Sequence, residues 1–345
     1  MTIMFCDIRG FTSLSEKLDA ESLTQFMNSF LSPMTEIITE RKGTIDKYIG
    51  DCIMAFWNAP LDDPDHVANA VQAAQARRNK LGELNRLWQA EAAYRVFLPV
   101  RIGIGINTGE CVVGNFGSLQ HFDYSLLGDP VNLASRLEGL GKVYGVDLMI
   151  GEETAARLDD PELIELDLVA VKGKSAAGHI YTLPPEQATA GQFITQHAAL
   201  LGAYRRQDWA SALRLLDDGR LAAARFLVPV YDLYRRRIAQ FQIEAPPANW
   251  NGVFTAEEKR RGSAANSPQG SQHIGADEDD ASLAAVEALG VEFRIFADYQ
   301  ILRDMAAAID DDVIEPSATA DLDIGQQHRA RRAGMGIDPT IGEQQ

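Results

Sequence analysis

The tightest constraint on the fold lies at residues 44–57. Two apolar runs, Thr44–Ile49 and Cys52–Trp57, leave only Gly50-Asp51 between them. Glycine tolerates positive φ and aspartate bonds its own backbone, so this pair favours a tight turn. The two runs are therefore predicted as adjacent strands. Further strand-like runs are Thr2–Cys6, Val100–Ile106, Cys111–Phe116 and Leu163–Val171. Helical patterns fill the gaps. Glu21–Arg41 repeats apolar residues at Leu23, Phe26, Met27, Phe30, Leu31 and Met34, a helical spacing. Pro64–Ala93 is alanine-rich with charges at intervals and is predicted as a long amphipathic helix. The order is strand, helix, two adjacent strands, helix, two adjacent strands. It predicts an α+β domain over residues 1–184, a ferredoxin-like sheet with helices on one face.

Residues 185–190 have the composition of a linker. Residues 191–255 are predicted as a helical hairpin extension, from His197–Leu216 and Arg220–Phe241. Tyr204, Trp209, Ala212 and Leu216 resemble part of a tetratricopeptide-type hairpin. One such unit cannot bury both faces, so it is expected to pack on the first domain or on a partner. After Lys259 the pattern weakens. Arg261–Gly275 is rich in Gly, Ser and Asn, an acidic run follows at Asp277–Asp280, and Ala281–Ala308 has the pattern of a helix. Ile314–Gln345 lacks periodicity, and residues 260–345 are expected to be mostly disordered.

The net charge of −17 argues against a general nucleic-acid binder, which needs a basic surface to offset phosphates. It also makes basic residues that gather at one place more informative. Cys6, Cys52 and Cys111 each lie in an apolar run and read as buried thiols in a reducing compartment. No paired Cys or His accompanies them, so no zinc site is expected. No signal peptide and no membrane-spanning apolar run is seen, and a cytoplasmic location is expected. The first strand begins almost at Met1, an abrupt start that suits a piece of something longer.

Three segments carry chemistry. In Phe5-Cys6-Asp7-Ile8-Arg9-Gly10-Phe11-Thr12, a carboxylate ends a strand just before a helix start. A carboxylate suits a hard cation, and the N–H groups of a helix start suit a phosphate. A helix-capping role for Asp7 is the alternative. Asp51, in the turn of Lys47-Tyr48-Ile49-Gly50-Asp51, is a second strand-end carboxylate. With Asp7 it could complete a metal site that polarises phosphate, although turns favour Gly-Asp for backbone reasons alone. In Gly128-Asp129-Pro130-Val131-Asn132-Leu133-Ala134-Ser135-Arg136, Pro130 suits an early helical position. Asn132 and Arg136 then share a helix face, and Arg136 offers a fork suited to phosphate oxygens.

Together these segments resemble the class III adenylate/guanylate cyclase catalytic domain. The resemblance spans about residues 2–184. It also includes Arg101–Gly109 (Arg-Ile-Gly-Ile-Gly-Ile-Asn-Thr-Gly) and Val171-Lys172-Gly173-Lys174, all in the family's order. It implies the nucleotide cyclase fold and conversion of ATP to cyclic AMP and pyrophosphate. Asp7 and Asp51, with the backbone carbonyl of Ile8, match the ligands of two Mg²⁺ or Mn²⁺ ions per site. Phe11 and Thr12 match backbone contacts to the terminal phosphates, and Arg101 matches a triphosphate-binding arginine. Asn132 and Arg136 match the pair that orients the ribose and stabilises the transition state. Lys172 matches a phosphate-contacting lysine, a role open to Lys174 as well.

Base choice follows from two positions. Lys47 stands where adenylate cyclases carry Lys and guanylate cyclases carry Glu. A lysine donates to adenine N1 but meets the N1–H donor of guanine. Ser125 stands where many adenylate cyclases carry Asp and a bacterial subgroup carries Thr or Ser. The resemblance implies a homodimer: Asp7, Asp51 and Arg101 act from one chain, while Lys47, Ser125, Asn132, Arg136 and Lys172 reach in from the other. The wording of residues 122–125 and the tail after 184 resemble bacterial members with an extracellular sensor and membrane helices upstream, so any membrane attachment is expected only through segments absent from this chain. A guanylate cyclase, or a catalytically silent nucleotide-binding scaffold, are the rival readings.

Overall fold

The computed structural model describes residues 1–255, except 92–93, 95–98, 119, 121, 171–176, 186–190, 192, 219–220, 222–223 and 248. The tail at 260–345, the linker at 186–190 and Lys172 and Lys174 therefore lie outside the described residues. The first domain contains β1 (Thr2–Ile8), α1 (Phe11–Ser15), α2 (Ala20–Glu40), β2 (Thr44–Ile49), β3 (Cys52–Trp57) and α3 (His66–Trp88). It continues with β4 (Ile102–Thr108), β5 (Val112–Gly117), β6 (Phe122–Leu127), α4 (Asp129–Tyr144), β7 (Leu148–Gly151), α5 (Glu152–Ala155), β8 (Ile164–Ala170) and β9 (Gly178–Thr182). The β2–β3 hairpin has the predicted bounds. β4 is displaced to Ile102–Thr108 from the predicted Val100–Ile106.

At the heart of the sheet, the order β4-β1-β3-β2 is that of a ferredoxin-like fold, with β1 antiparallel to both neighbours. β7 extends it in parallel beside β4, and β9 and β8 follow. Side chains alternate across β1 as the pleat requires. Met4, Cys6 and Ile8 pack under α2 and α3, against Phe26, Phe30, Met34, Ile38, Ala70 and Ala74. Ile3 and Phe5 face the other side, where Leu126 of β6 and Ala134 of α4 cover them. So α2 and α3 share one face, as expected, and α4 lies across the opposite one. Gly105 makes that crossing possible: a Cβ there would sit 2.3 Å from the Ala134 carbonyl oxygen. Of the thiols, Cys6 is buried, but Cys52 and Cys111 are only half-buried, since each stands at a strand end.

The extension departs from the expected two helices. His197–Leu216 is broken into α6 (Ile194–Arg205) and α7 (Trp209–Leu216). Gln207 takes φ 60°, and the Asp208 side chain accepts the Ser211 N–H to cap α7. The following helix, α8, is Val228–Ile243 and carries Pro229 in its first turn, where a missing N–H costs nothing. A short strand, β10 (Phe254–Thr255), pairs in parallel with β8. The expectation that the unit packs on the first domain holds. Leu200, Tyr204, Tyr234 and Ile238 share one core with Leu137, Leu140, Tyr144, Ile164 and Leu166. A buried polar knot pins it. Arg237 Nη1 donates to Asp167 Oδ2 (2.5 Å), and the Tyr144 hydroxyl donates to the same oxygen (2.6 Å). The guanidinium also lies 3.6 Å above the Phe254 ring. Among the described residues, no helix is long and apolar enough to cross a membrane.

Candidate active site

Strand register brings the two aspartates together. Cys6 pairs with Ile53 across β1–β3, so Asp7, one residue on, stands beside the β2–β3 turn that holds Asp51. Gly50 takes φ 62°, the left-handed conformation that this tight turn requires. Asp51 Oδ2 accepts the backbone N–H of Ile8 (2.9 Å), which ties the turn to the end of β1. Burial, then the adjoining Asp7 carboxyl, pushes the Asp51 carboxyl up to about 8. Two crowded carboxylates and the Ile8 carbonyl at a strand end form a hard-oxygen set that fits Mg²⁺ or Mn²⁺. Among the described residues no cluster of three or more His, Cys, Asp or Glu is found.

Next to this loop, Gly10 takes φ 72° and α1 begins at Phe11. Its first helical bond runs from the Leu14 N–H to the Gly10 carbonyl (3.1 Å), which leaves the N–H groups of Phe11 and Thr12 outside the helical ladder. Arg101 immediately precedes β4, and its carbonyl accepts the Arg9 N–H (2.8 Å). Its guanidinium is turned to Asp147 instead, at 3.0 Å, and is largely exposed. Asn132 and Arg136 lie on α4 on the side away from Ala134 and Leu137, with Asn132 half-buried and Arg136 exposed.

Lys47 and Ser125 meet through a residue the sequence reading passed over. The Ser125 hydroxyl donates to Asp46 Oδ2 (2.6 Å). Lys47 Nζ lies 3.5 Å from Asp46 Oδ1 and 3.6 Å from Asp123. A second missed contact joins the loop after β1 to α4: Arg9 Nη1 donates to Glu138 Oε1 (2.6 Å) and Nη2 to the Glu138 carbonyl (3.1 Å). Gly103 and Gly141 leave room for that guanidinium. Arg9 stands inside one of the motifs quoted above and Glu138 two residues past another, but only the fold pairs residues 129 positions apart.

Carboxylates at the end of a ferredoxin-like sheet, with the exposed Arg101 brought beside the same loop by the fold, suit phosphoryl transfer, where positioning and charge neutralisation do most of the work. Residues 1–184 match the model of the adenylate and guanylate cyclase catalytic domain. The chain belongs to that family. It is 40% identical over 185 residues to an adenylate cyclase of Anabaena cylindrica, covering 52% of this chain and 36% of that protein. It is 34% identical over 183 residues to adenylate cyclase 1 of Rhizobium meliloti, covering 52% of this chain and 27% of the relative. The chain thus spans about a third of the length of these relatives. The crystal structure of the adenylyl cyclase CyaB from P. aeruginosa is 39% identical, with a TM-score of 0.49 over 53% of this chain and 92% of that one.

Proposed function

We propose that the domain converts ATP to 3′,5′-cyclic AMP and pyrophosphate at a site shared between two copies of the chain. The observation that carries this reading is the meeting of Asp7 and Asp51 at one sheet end within the matched domain. Relatives named as adenylate cyclases support it. In the reaction, the ribose 3′-oxygen forms a bond to the α-phosphorus, the bond from that phosphorus to the bridging oxygen of pyrophosphate breaks, and the 3′-hydroxyl proton leaves to solvent.

Each residue's task follows from its chemistry. Asp7, Asp51 and the Ile8 carbonyl would hold two Mg²⁺ or Mn²⁺ ions, which when bound neutralise triphosphate charge and acidify the 3′-hydroxyl. The N–H groups of Phe11 and Thr12 and the Arg101 guanidinium receive the outer phosphates, Arg101 after exchanging Asp147 for the ligand. Asn132 orients the ribose. Arg136 offers two parallel N–H donors to the charge that grows on the α-phosphate, a contribution of about 10²–10³ in rate. Lys47 donates to adenine N1 and Ser125 accepts from the adenine amino group. Lys172 contacts phosphate.

The same chain's Asp51 and Arg136 would serve different sites, since the second copy supplies Lys47, Ser125, Asn132 and Arg136. Exposed apolar side chains on the β5–β6 hairpin, Val112, Phe122 and Tyr124, support an interface there. The test is an assay of ATP and GTP turnover with Mn²⁺ on wild type, Asp51→Ala and Arg136→Ala, then on the two variants mixed. Wild type is expected to prefer ATP and each variant to be nearly silent. Mixing should restore about a quarter of wild-type activity or less, because only mixed dimers regain one intact site. Two silent variants that stay silent when mixed would remove the shared site from the proposal.

A further inference from the structure

Asp46 is built into the base-reading side of the site by a local irregularity. In the β2–β3 ladder Ile45 pairs with Ala55 and Lys47 with Met54, so Asp46 is the extra residue of a β-bulge. Bulges re-aim side chains. Here the Asp46 side chain is fully shielded from solvent. One oxygen takes the Ser125 proton at 2.6 Å, and the other makes no hydrogen bond and lies 3.5 Å from the Lys47 ammonium. Burial raises the Asp46 carboxyl, while Ser125 and Lys47 act to lower it.

The polarity of this contact has a chemical consequence. A serine hydroxyl carries one proton and two lone pairs, whereas an ionised carboxylate only accepts. Once Ser125 has committed its proton to Asp46, its oxygen can offer a ligand nothing but lone pairs. Adenine presents an amino group at C6, a donor that this oxygen satisfies. Guanine presents a carbonyl there, an acceptor that would face lone pair against lone pair. We propose that Asp46 is a specificity-determining positioning residue, which fixes Ser125 as an acceptor and so makes a neutral hydroxyl select an amino-bearing purine. The inference rests on the reading of Lys47 and Ser125 as the base-contacting pair.

Asp46→Asn tests it, because an amide N–H can donate to Ser125 and release the serine proton toward the base. kcat/KM for ATP and for GTP would be measured with Mn²⁺ for the wild-type chain, D46N, S125A and D46N/S125A. The ratio of the two constants is read, since loss of folded enzyme scales both equally. D46N and S125A are each expected to lower the ATP-to-GTP ratio by about tenfold to a hundredfold. The double variant should fall no further than S125A, because Asp46 acts through the hydroxyl. A D46N enzyme that keeps the wild-type ratio overturns the inference, and so does a double variant whose losses multiply. If D46N does not fold, S125A alone decides, and an unchanged ratio there overturns it equally. A wild-type chain that turns over neither nucleotide, or prefers GTP, overturns the proposed function itself and this inference with it.

Discussion

Asp51 and Asp167 are both carboxylates withdrawn from water, yet their surroundings are opposite. Asp167 is answered from within the chain by the Arg237 guanidinium and the Tyr144 hydroxyl, both on one oxygen, and by the Leu168 N–H (2.8 Å) on the other. Asp51 has an N–H from Ile8 and, beside it, a second carboxyl. The first arrangement is complete and holds the helical extension to the sheet. The second sets one carboxyl against another in a partly buried turn, and burial together with that neighbour raises the proton affinity of Asp51. A fold tolerates such strain where a ligand relieves it.

The comparison breaks most sharply at Asp51. Asp51→Asn should lower turnover by about 10²–10³-fold or more. The same change should stabilise the metal-free chain by about 1–2 kcal/mol in urea unfolding at pH 7, since the folded chain no longer has to hold on Asp51 a proton that the unfolded chain gives up. The sign follows from the raised carboxyl: a group pushed from its ordinary value to about 8 withdraws stability as pH rises above the ordinary value. A loss of stability in D51N would mean the pair is structural after all. At the other carboxylate the effect inverts. Arg237→Ala strands Asp167 and should cost about 3–5 kcal/mol, whereas Arg237→Met, which fills the same space beside Phe254, should cost less. Equal costs, measured by denaturant midpoint, would remove the packing beside Phe254 from the anchor's energetics and leave the ion pair to carry them.

Added Mn²⁺ sharpens the contrast further. At a hundred times its dissociation constant it should stabilise wild type by about 2.7 kcal/mol. It should leave D51N unchanged, a difference a thermal melt would register. The smallest effect concerns His197 in the anchor. Its Nε2–H donates to the Glu165 carbonyl (2.6 Å), and Nδ1 is left to accept from the Tyr231 hydroxyl (3.3 Å). Burial holds the imidazole below its ordinary value. The unfolded chain therefore takes up a proton first, and stability drops as pH falls through about 6.5, levelling off below the folded value. Between pH 7.5 and 5.5, wild type should lose about 1 kcal/mol more than His197→Gln. Parallel pH profiles for the two proteins would rule this out.

Much of the first domain could be read from local pattern. The Gly50-Asp51 turn and its flanking runs gave the β2–β3 hairpin with its bounds, and helical spacing found α2 with its buried row of Phe26, Phe30, Met34 and Ile38. β7 and β9 went unseen, because four or five residues carry too little periodicity to register. β6 was hidden for another reason: Phe122 and Tyr124 are exposed and Ser125 is buried, the reverse of what polarity suggests. The break at Gln207 escaped notice because a positive φ at glutamine leaves no mark in composition.

What the sequence determined by itself was the set of chemical groups: two strand-end aspartates, a lysine four residues before the second, and an asparagine and arginine one helical turn apart. Those groups declare themselves because each sits in a short motif whose turn or cap chemistry is local. Only the tertiary structure decided which groups act on which. That Ser125 donates to Asp46, that Arg9 reaches Glu138, and that Asp167 meets Arg237 while Asp51 meets the Ile8 N–H and the Asp7 carboxyl, are facts of register and crossing. Hydrogen bonds and charges act across a few ångströms of space, and the chain brings residues 70 to 129 positions apart to that distance only when it has folded.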